Sequence, residues 1–354
     1  MRRLTPFTAA LLVVTLGACS SGSDTSGAET TATETSAAPS STGDPRADTT
    51  EPTIVAADST TRPDDTVIEP DATTDGITET TTNPAPGARA ARLDTTLDVD
   101  GFARRLSAAH STIVDPTATP AARKTAGEEF QLVLRALADQ PELDDAVISA
   151  LEPAARPSVE RIVRARQFLQ ARSASRPSQP PPTDVPAWSV VEPEPVDTLL
   201  AHYAEAESVT GIPWHWLAAI HLQETRMGRI QGVSSAGAVG PMQFLPSTWE
   251  RCCTGDPTAT RDAIIGAGTY LAQSGGPDDM AAALYQYNPN EGYVAIVTAY
   301  AESLRDEPEL FPGYRGFQVF FGSSAGTIRL PIGYSESAPI DAAAYLAAHP
   351  DDAA

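Results

Sequence analysis

The stretch Gly211-Ile-Pro-Trp-His-Trp-Leu-Ala-Ala-Ile-His-Leu-Gln-Glu224-Thr-Arg-Met-Gly228 reads as an apolar helix that a proline starts and a glycine stops. Ten residues after Glu224 begins Ser234-Ser-Ala-Gly-Ala-Val-Gly-Pro-Met-Gln243-Phe-Leu-Pro-Ser-Thr-Trp249, a glycine-rich loop carrying amide and aromatic groups. A carboxylic acid at the end of a largely buried helix, facing such a loop, is placed as a general acid must be. Breaking an acetal-type C–O bond needs a proton for the departing oxygen, and a glutamic acid supplies it near neutral pH only if burial raises its pKa. Met242, Phe244, Trp249, Tyr285 and Tyr287 are the candidates for that apolar surrounding.

A third segment, Ala283-Leu-Tyr285-Gln-Tyr287-Asn288-Pro-Asn-Glu-Gly-Tyr293-Val, completes the pattern. Together the three resemble the catalytic domain of lytic transglycosylases, the goose-lysozyme-like enzymes that cut the glycan strands of peptidoglycan. The family's Glu-Ser pair stands here as Glu224-Thr225, its Ser-x-x-Gly-Ala-x-Gly-Leu-Met-Gln as Ser234 to Gln243 with Pro241 for Leu, and its Ala-Tyr-Asn as Gln286-Tyr287-Asn288. The resemblance covers roughly a hundred residues with the motifs in order, and departs at Thr225, Pro241 and Gln286.

The resemblance implies a role for each matched residue. Glu224 is the catalytic residue, protonating the glycosidic oxygen and then, as carboxylate, taking the proton of the muramoyl C6 hydroxyl that attacks C1, which leaves a 1,6-anhydro end. Ser234 positions or polarises the N-acetyl group or the Glu. Gly237 and Gly240 let the loop come close to the sugar. Met242 and Gln243 line saccharide sites, and Tyr287 and Asn288 orient acid and substrate. A two-carboxylate hydrolase would need a second acid about 5 to 9.5 Å from the first. Asp256, Asp262 and Glu291 are nearest in sequence, but Asp262 reads as a helix-start acid and Glu291 as a loop residue. His221 shares the helical face of Glu224 and is read as orienting or packing, and Trp214 and Trp216 as core. No metal or organic cofactor is implied.

The remaining chain says where such a protein would work. Met1-Arg-Arg, the apolar run Phe7 to Leu16 and Leu16-Gly-Ala-Cys19 form a secretory signal too short for an ordinary membrane span. Its ending resembles a bacterial lipobox, which would make Cys19 the lipidated first residue of an actinobacterial-type lipoprotein. Residues 20–90 are rich in Thr, Ser, Ala, Pro and acids without an aromatic, and are expected to be a disordered tether. A neutral coil of about 70 residues spans roughly 45 Å. The net charge of -22 argues against nucleic acid and against a polybasic hold on anionic lipid. Glycan strands, the membrane through the lipid, and cell-wall growth or division proteins are the expected partners, on the outer face of the cell membrane.

With Cys19 assigned to lipid, Cys252 and Cys253 are the remaining thiols, without zinc-ligand spacing. Neighbouring Cα atoms lie about 3.8 Å apart, below the usual disulfide span of roughly 4.4–6.8 Å. A strained vicinal disulfide and two free thiols therefore both stay open.

Helical periodicity marks a small bundle over 91–175, through Phe102, Leu106, Ala109 and Ile113, then Phe130, Val133, Leu134 and Leu137, then Val147, Ile148 and Leu151, then Val159, Ile162, Val163 and Leu169. His110 is isolated there and reads as a surface or half-buried histidine. A proline-rich linker follows over 176–195, then the catalytic domain over 196–310. Gly316 to Leu330 reads as a β-hairpin, within a closing segment 311–354 that ends in an Ala- and Asp-rich tail. The expected fold is mainly α, a lysozyme-like catalytic domain preceded by a small helical bundle and followed by a short β-hairpin. The same site could instead serve a muramidase that hydrolyses with water, or a non-catalytic wall-binding scaffold lipoprotein.

Overall fold

The computed structural model describes residues 97–173 and 180–354, the side chain of residue 173 excepted. The signal peptide, the tether, Cys19 and the start of the linker lie outside the described residues.

Every residue from Leu217 to Thr225 is buried, so the central helix is enclosed on all sides and the rest of the fold is built around it. In chain order the helices are α1 (Val99–Val114), α2 (Pro120–Ala138), α3 (Asp144–Ala150), α4 (Arg156–Ser173), α5 (Val196–Thr210), α6 (Trp214–Thr225), α7 (Pro246–Cys252), α8 (Thr260–Gln273), α9 (Met280–Tyr287), α10 (Glu291–Asp306), α11 (Phe311–Arg315) and α12 (Ala342–Ala348). Among the described residues, three antiparallel two-stranded sheets accompany them. They pair β1 (Asp184–Val185) with β6 (Ile340–Asp341), β2 (Ser189–Val190) with β3 (Ile230–Gln231), and β4 (Val319–Ser323) with β5 (Gly326–Leu330). This is the mainly α architecture that the apolar periodicity calls for, and it is consistent with the lysozyme-like fold that the motif resemblance implies.

The apolar face of the N-terminal bundle does not close on itself. Phe102, Leu106, Phe130, Val159 and Val163 belong to the same continuous core as Leu217, Met242, Leu271 and Val297 around α6. Polar ties reinforce the seam. The Gln131 amide donates to the Gln318 carbonyl at 3.0 Å and its oxygen accepts from the Gln318 N–H at 2.6 Å. His110, buried rather than at the surface, meets the Glu307 carboxylate at 2.8 Å. Gly127 is needed on α2 because a Cβ there would lie 2.0 Å from the Gly313 carbonyl oxygen of α11.

A second, smaller core gathers Val185, Trp188, Val190, Ile230, Phe321, Ile328 and Tyr345. The segment expected as a plain proline-rich linker thus supplies β1, β2 and a buried tryptophan. The Ala- and Asp-rich tail supplies β6 and α12, whose Tyr345 donates to Asp352 at 2.9 Å. Alternation is too short in these two-residue strands to register as periodicity, which is why the sequence leaves them unmarked.

Candidate active site

The acid sits where α6 ends. The Glu207 carboxylate on α5 caps the helix start by accepting the Trp214 N–H at 2.9 Å. At the other end the chain leaves through Arg226 and Met227, both in the left-handed region at φ 57° and 61° although neither is glycine, before Gly228 at φ 80°. Their N–H groups return to the Leu222 and His221 carbonyls at 3.2 and 3.0 Å, and Arg226 Nη1 donates to the Leu222 carbonyl at 2.6 Å. Such conformations cost about 1–3 kcal/mol each and persist where neighbours enforce them. Here they turn the backbone just after Glu224-Thr225.

Glu224 is 5% exposed, and burial raises its carboxyl to about 7. Two groups work against that rise: the Tyr293 hydroxyl, which faces the carboxyl, and the Arg226 guanidinium. The tyrosine stabilises the charged form by proximity, without completing a hydrogen bond of full geometry. Among the described residues, no carboxylate acts on Glu224. The three acids weighed as partners are engaged elsewhere: Asp256 accepts the N–H and hydroxyl of Thr258, Asp262 accepts the Asp256 N–H, and Glu291 pairs with Arg172.

The three motifs meet at two consecutive carbonyls of the glycine-rich loop. Thr225 donates its hydroxyl to the Pro241 carbonyl at 2.6 Å and accepts the Gly228 N–H at 3.0 Å. Tyr287 donates to the Met242 carbonyl at 2.5 Å. The loop folds back on itself as a tight hairpin, with Val239 and Phe244 exchanging N–H···O bonds at 2.9 and 3.0 Å. Gln243, at φ 51°, stays in the left-handed region by donating its own amide to the Gly240 carbonyl at 2.9 Å. Pro241 interrupts nothing in this turn, since its carbonyl, not an N–H, is the group in use.

Ser234 is buried, and its Oγ accepts from the Ala236 and Ala238 N–H groups at 3.2 and 2.9 Å. The hydroxyl staples the loop start and still has its own proton to give. Gly240 has a structural reason of its own: at φ 74°, a Cβ would lie 1.8 Å from the Pro257 carbonyl oxygen. Gly237, at φ 84°, faces open space. Met242 is fully buried in the core. Asn288 is half-buried and ends α9, its N–H returning to the Leu284 carbonyl at 2.9 Å.

An aromatic chain backs the acid. Tyr293 stacks on Tyr287 with ring centres 6.4 Å apart, and Tyr287 meets Phe244 and Tyr270 edge-on at 5.5 and 5.7 Å. Phe244 meets Trp249 at 5.1 Å. Burial, then the nearby Glu224, raises the Tyr287 and Tyr293 phenols well above their usual range, so both stay neutral donors. Tyr285, expected in this surrounding, is 45% exposed and stands outside the stack. Tyr293 and Tyr270 take its place. The signal for Tyr293 was available: Asn290 is a helix-start residue whose side chain accepts the Gly292 N–H at 2.8 Å, which places Tyr293 in the first turn of α10.

His221 lies behind the acid, fully buried, its Nδ1 2.8 Å from the Tyr203 hydroxyl. Burial depresses it to about 3, so it is a neutral packing and orienting group. Cys252 and Cys253 are joined in a disulfide at the end of α7.

Fold and site together define a mainly α, lysozyme-like protein that buries one proton-bearing carboxyl among tyrosines at a glycine-rich turn. Over 124 residues the sequence is 30% identical to membrane-bound lytic murein transglycosylase F of Thiobacillus denitrificans, a match covering 33% of this chain and 26% of that protein. The chain thus spans about a quarter of the relative it matches, and the similarity relates that segment to the lytic transglycosylases. No family model matches the chain, and no solved structure matches it significantly.

Proposed function

We propose that this protein is a peptidoglycan lytic transglycosylase that cleaves the β-1,4 bond between MurNAc and GlcNAc and closes a 1,6-anhydro ring on the muramoyl product. The observation that carries the reading is the Glu224 carboxyl, raised to about 7 with no carboxylate among the described residues acting on it. A group poised there is protonated often enough to donate to the leaving oxygen and ionised often enough to take a proton back. With one carboxyl serving both steps, the internal C6 hydroxyl is the natural nucleophile. A muramidase of the two-carboxylate kind would need a second acid within about 10 Å, placed to act on water.

The other motif residues have supporting roles in this account. Ser234 offers its remaining proton to the N-acetyl group. Gln243 and Asn288 present amides to the sugars, Gly237 leaves room for the strand, and Met242 and Gly240 hold the loop that carries them. Tyr287 and Tyr293 keep the acid in a dry, donor-rich wall.

In the proposed setting the signal over 1–19 ends in lipidation of Cys19, and residues 20–90 tether the folded part to the outer face of the membrane. Among the described residues, no helix is long and apolar enough to cross a membrane. Growth or division proteins of the wall are the proposed partners.

Release of muropeptides from isolated sacculi by Glu224→Gln tests the site. General acid-base catalysis is worth about 10² to 10⁴ in rate, and here both functions ride on one side chain, so the loss belongs at the upper end or beyond. A variant that keeps wild-type activity removes Glu224 from the mechanism.

A further inference from the structure

Arg226 is held more firmly than a helix exit requires. The chain leaves α6 through it in the left-handed region, at φ 57° and ψ 49°, where glycine or asparagine is the usual choice. An arginine there bears a backbone cost that glycine would avoid. Its side chain folds back along the helix: Nη1 donates to the Leu222 carbonyl at 2.6 Å and reaches the Gln223 carbonyl at 3.4 Å. Both carbonyls belong to the same last turn as Glu224, so the half-buried guanidinium stands at the helix end that carries the acid.

That end is where a carboxylate is least favoured. The unpaired carbonyls of a helix C-terminus carry partial negative charge, which opposes an ionised Glu in the last turn, and burial opposes it further. A cation bonded to those carbonyls offsets their field. Tyr293 of α10 and Tyr287 of α9 face Glu224 as neutral phenols. Arg226 itself meets Tyr300 of α10, and shares a cavity lining with Arg135 of α2 and Arg166 of α4. Arg166 is paired with Asp144, and Arg135 lies in the field of Asp139. Among the described residues, Arg226 is thus the cation that acts on Glu224, and Glu224 in turn favours the charged form of Arg226.

We propose that Arg226 is a positioning residue of the site, a charged cap that fixes the end of α6 and stabilises the Glu224 carboxylate left when the acid gives its proton to the leaving oxygen. The chemistry rests on the transglycosylase reading; the pairing rests on the helix end alone. A guanidinium suits this place because it remains charged when partly buried. Glu224 loses one proton to the departing oxygen and regains one from the C6 hydroxyl, and Arg226 exchanges none.

The carboxyl signal of Glu224, followed by carbon NMR across pH in the glutamate-labelled chain and assigned by its loss in Glu224→Gln, is the direct readout. Arg226→Gln should raise its midpoint by about one pH unit, the size expected when an opposite charge near a carboxylate is removed. Arg226→Lys keeps the charge and should return most of that shift. Arg226→Gly relieves the backbone yet removes the charge, so it should move the midpoint as Gln does; a cap that mattered only for folding would leave the Gly variant like wild type. The alkaline fall in muropeptide release should move up with the midpoint, and the rate below it should drop by up to about tenfold, as for a weaker acid. In wild type, the Arg226 Nε–Hε signal, assigned through Arg226→Lys, should follow the Glu224 titration, which decides the matter if the Gln and Gly variants do not fold. An unchanged midpoint in both variants, or an Arg226 signal flat through that titration, overturns the proposal. Wild type that releases nothing from sacculi, with the midpoint shifted in the variants, would strike the transglycosylase reading and leave the Arg226–Glu224 pairing standing.

Discussion

At the scale of single residues, the carboxyl of Glu224 links folding to chemistry. Burial moves it from 4.5 to about 7, so the folded chain keeps a proton that the unfolded chain gives up as pH rises above 4.5. Stability therefore falls between about 4.5 and 7, by about 3 kcal/mol when the carboxyl is fully ionised. Glu224→Gln removes that burden. Its unfolding free energy minus that of wild type should be larger, meaning a relatively more stable variant, at pH 8 than at pH 5, measured by urea denaturation at both. His221, depressed to about 3, favours the fold above 6.5 and withdraws that support as pH falls, but it is common to both proteins and cancels in the difference. A pH-independent difference would mean that the carboxyl is solvated. The same titration predicts that cleavage slows as pH rises through about 7 with loss of one proton.

Thr225 is the neighbour whose identity the motif leaves loose. It stands for the Ser of the resemblance, and the structure gives the reason that either suffices: the hydroxyl joins the Pro241 carbonyl to the Gly228 N–H. Thr225→Val leaves the buried Pro241 carbonyl and the half-buried Gly228 N–H without this partner and should cost about 1–3 kcal/mol. Thr225→Ser should restore most of it. Equal stability of the Val and Ser variants in chemical denaturation would contradict the bridge.

Among the elements, the glycine-rich loop is where glycine itself decides the geometry. Gly240→Ala must move the Pro257 carbonyl as well as hold φ 74°. Gly237→Ala meets nothing within 4 Å and bears only the backbone term, about 1 kcal/mol. The melting temperature of Gly240→Ala should therefore drop well below that of Gly237→Ala, and similar values would show that the loop yields to Pro257.

Long elements were readable from sequence because their apolar faces repeat over several turns. Leu106, Phe130, Val147 and Val159 all reach the core their spacing assigns them. The end of α6 was read from Gly228, yet the left-handed exit begins at Arg226, because side-chain and backbone bonds hold a conformation that propensity disfavours. At the site, Glu224, Ser234 and Tyr287 were legible from motif order. Tyr293 was not assigned, because the Asn290 helix start that sets the register of α10 was not used. Tyr285, two residues before Tyr287 on α9, turns to solvent through the register of its own helix.

For the molecule as a whole, the continuous core running from α1 to α11 carries the site on one body rather than on a module joined by a linker. The proposed anchor belongs to this scale as well. A mature chain that begins at Cys19 and carries acyl groups is expected in intact-mass analysis of the membrane fraction, and Cys19→Ala should appear as soluble or uncleaved protein that stays active on isolated wall. A mature wild-type chain free of acyl groups would remove the anchor and leave the site untouched.

The most direct measurement is mass spectrometry of the muropeptides that the purified protein releases from sacculi. Glu224 acting alone, with the muramoyl C6 hydroxyl as nucleophile, predicts products ending in 1,6-anhydro-MurNAc, lighter by one water than those of a hydrolase. Products that carry only reducing ends would contradict the account and assign the site to a muramidase.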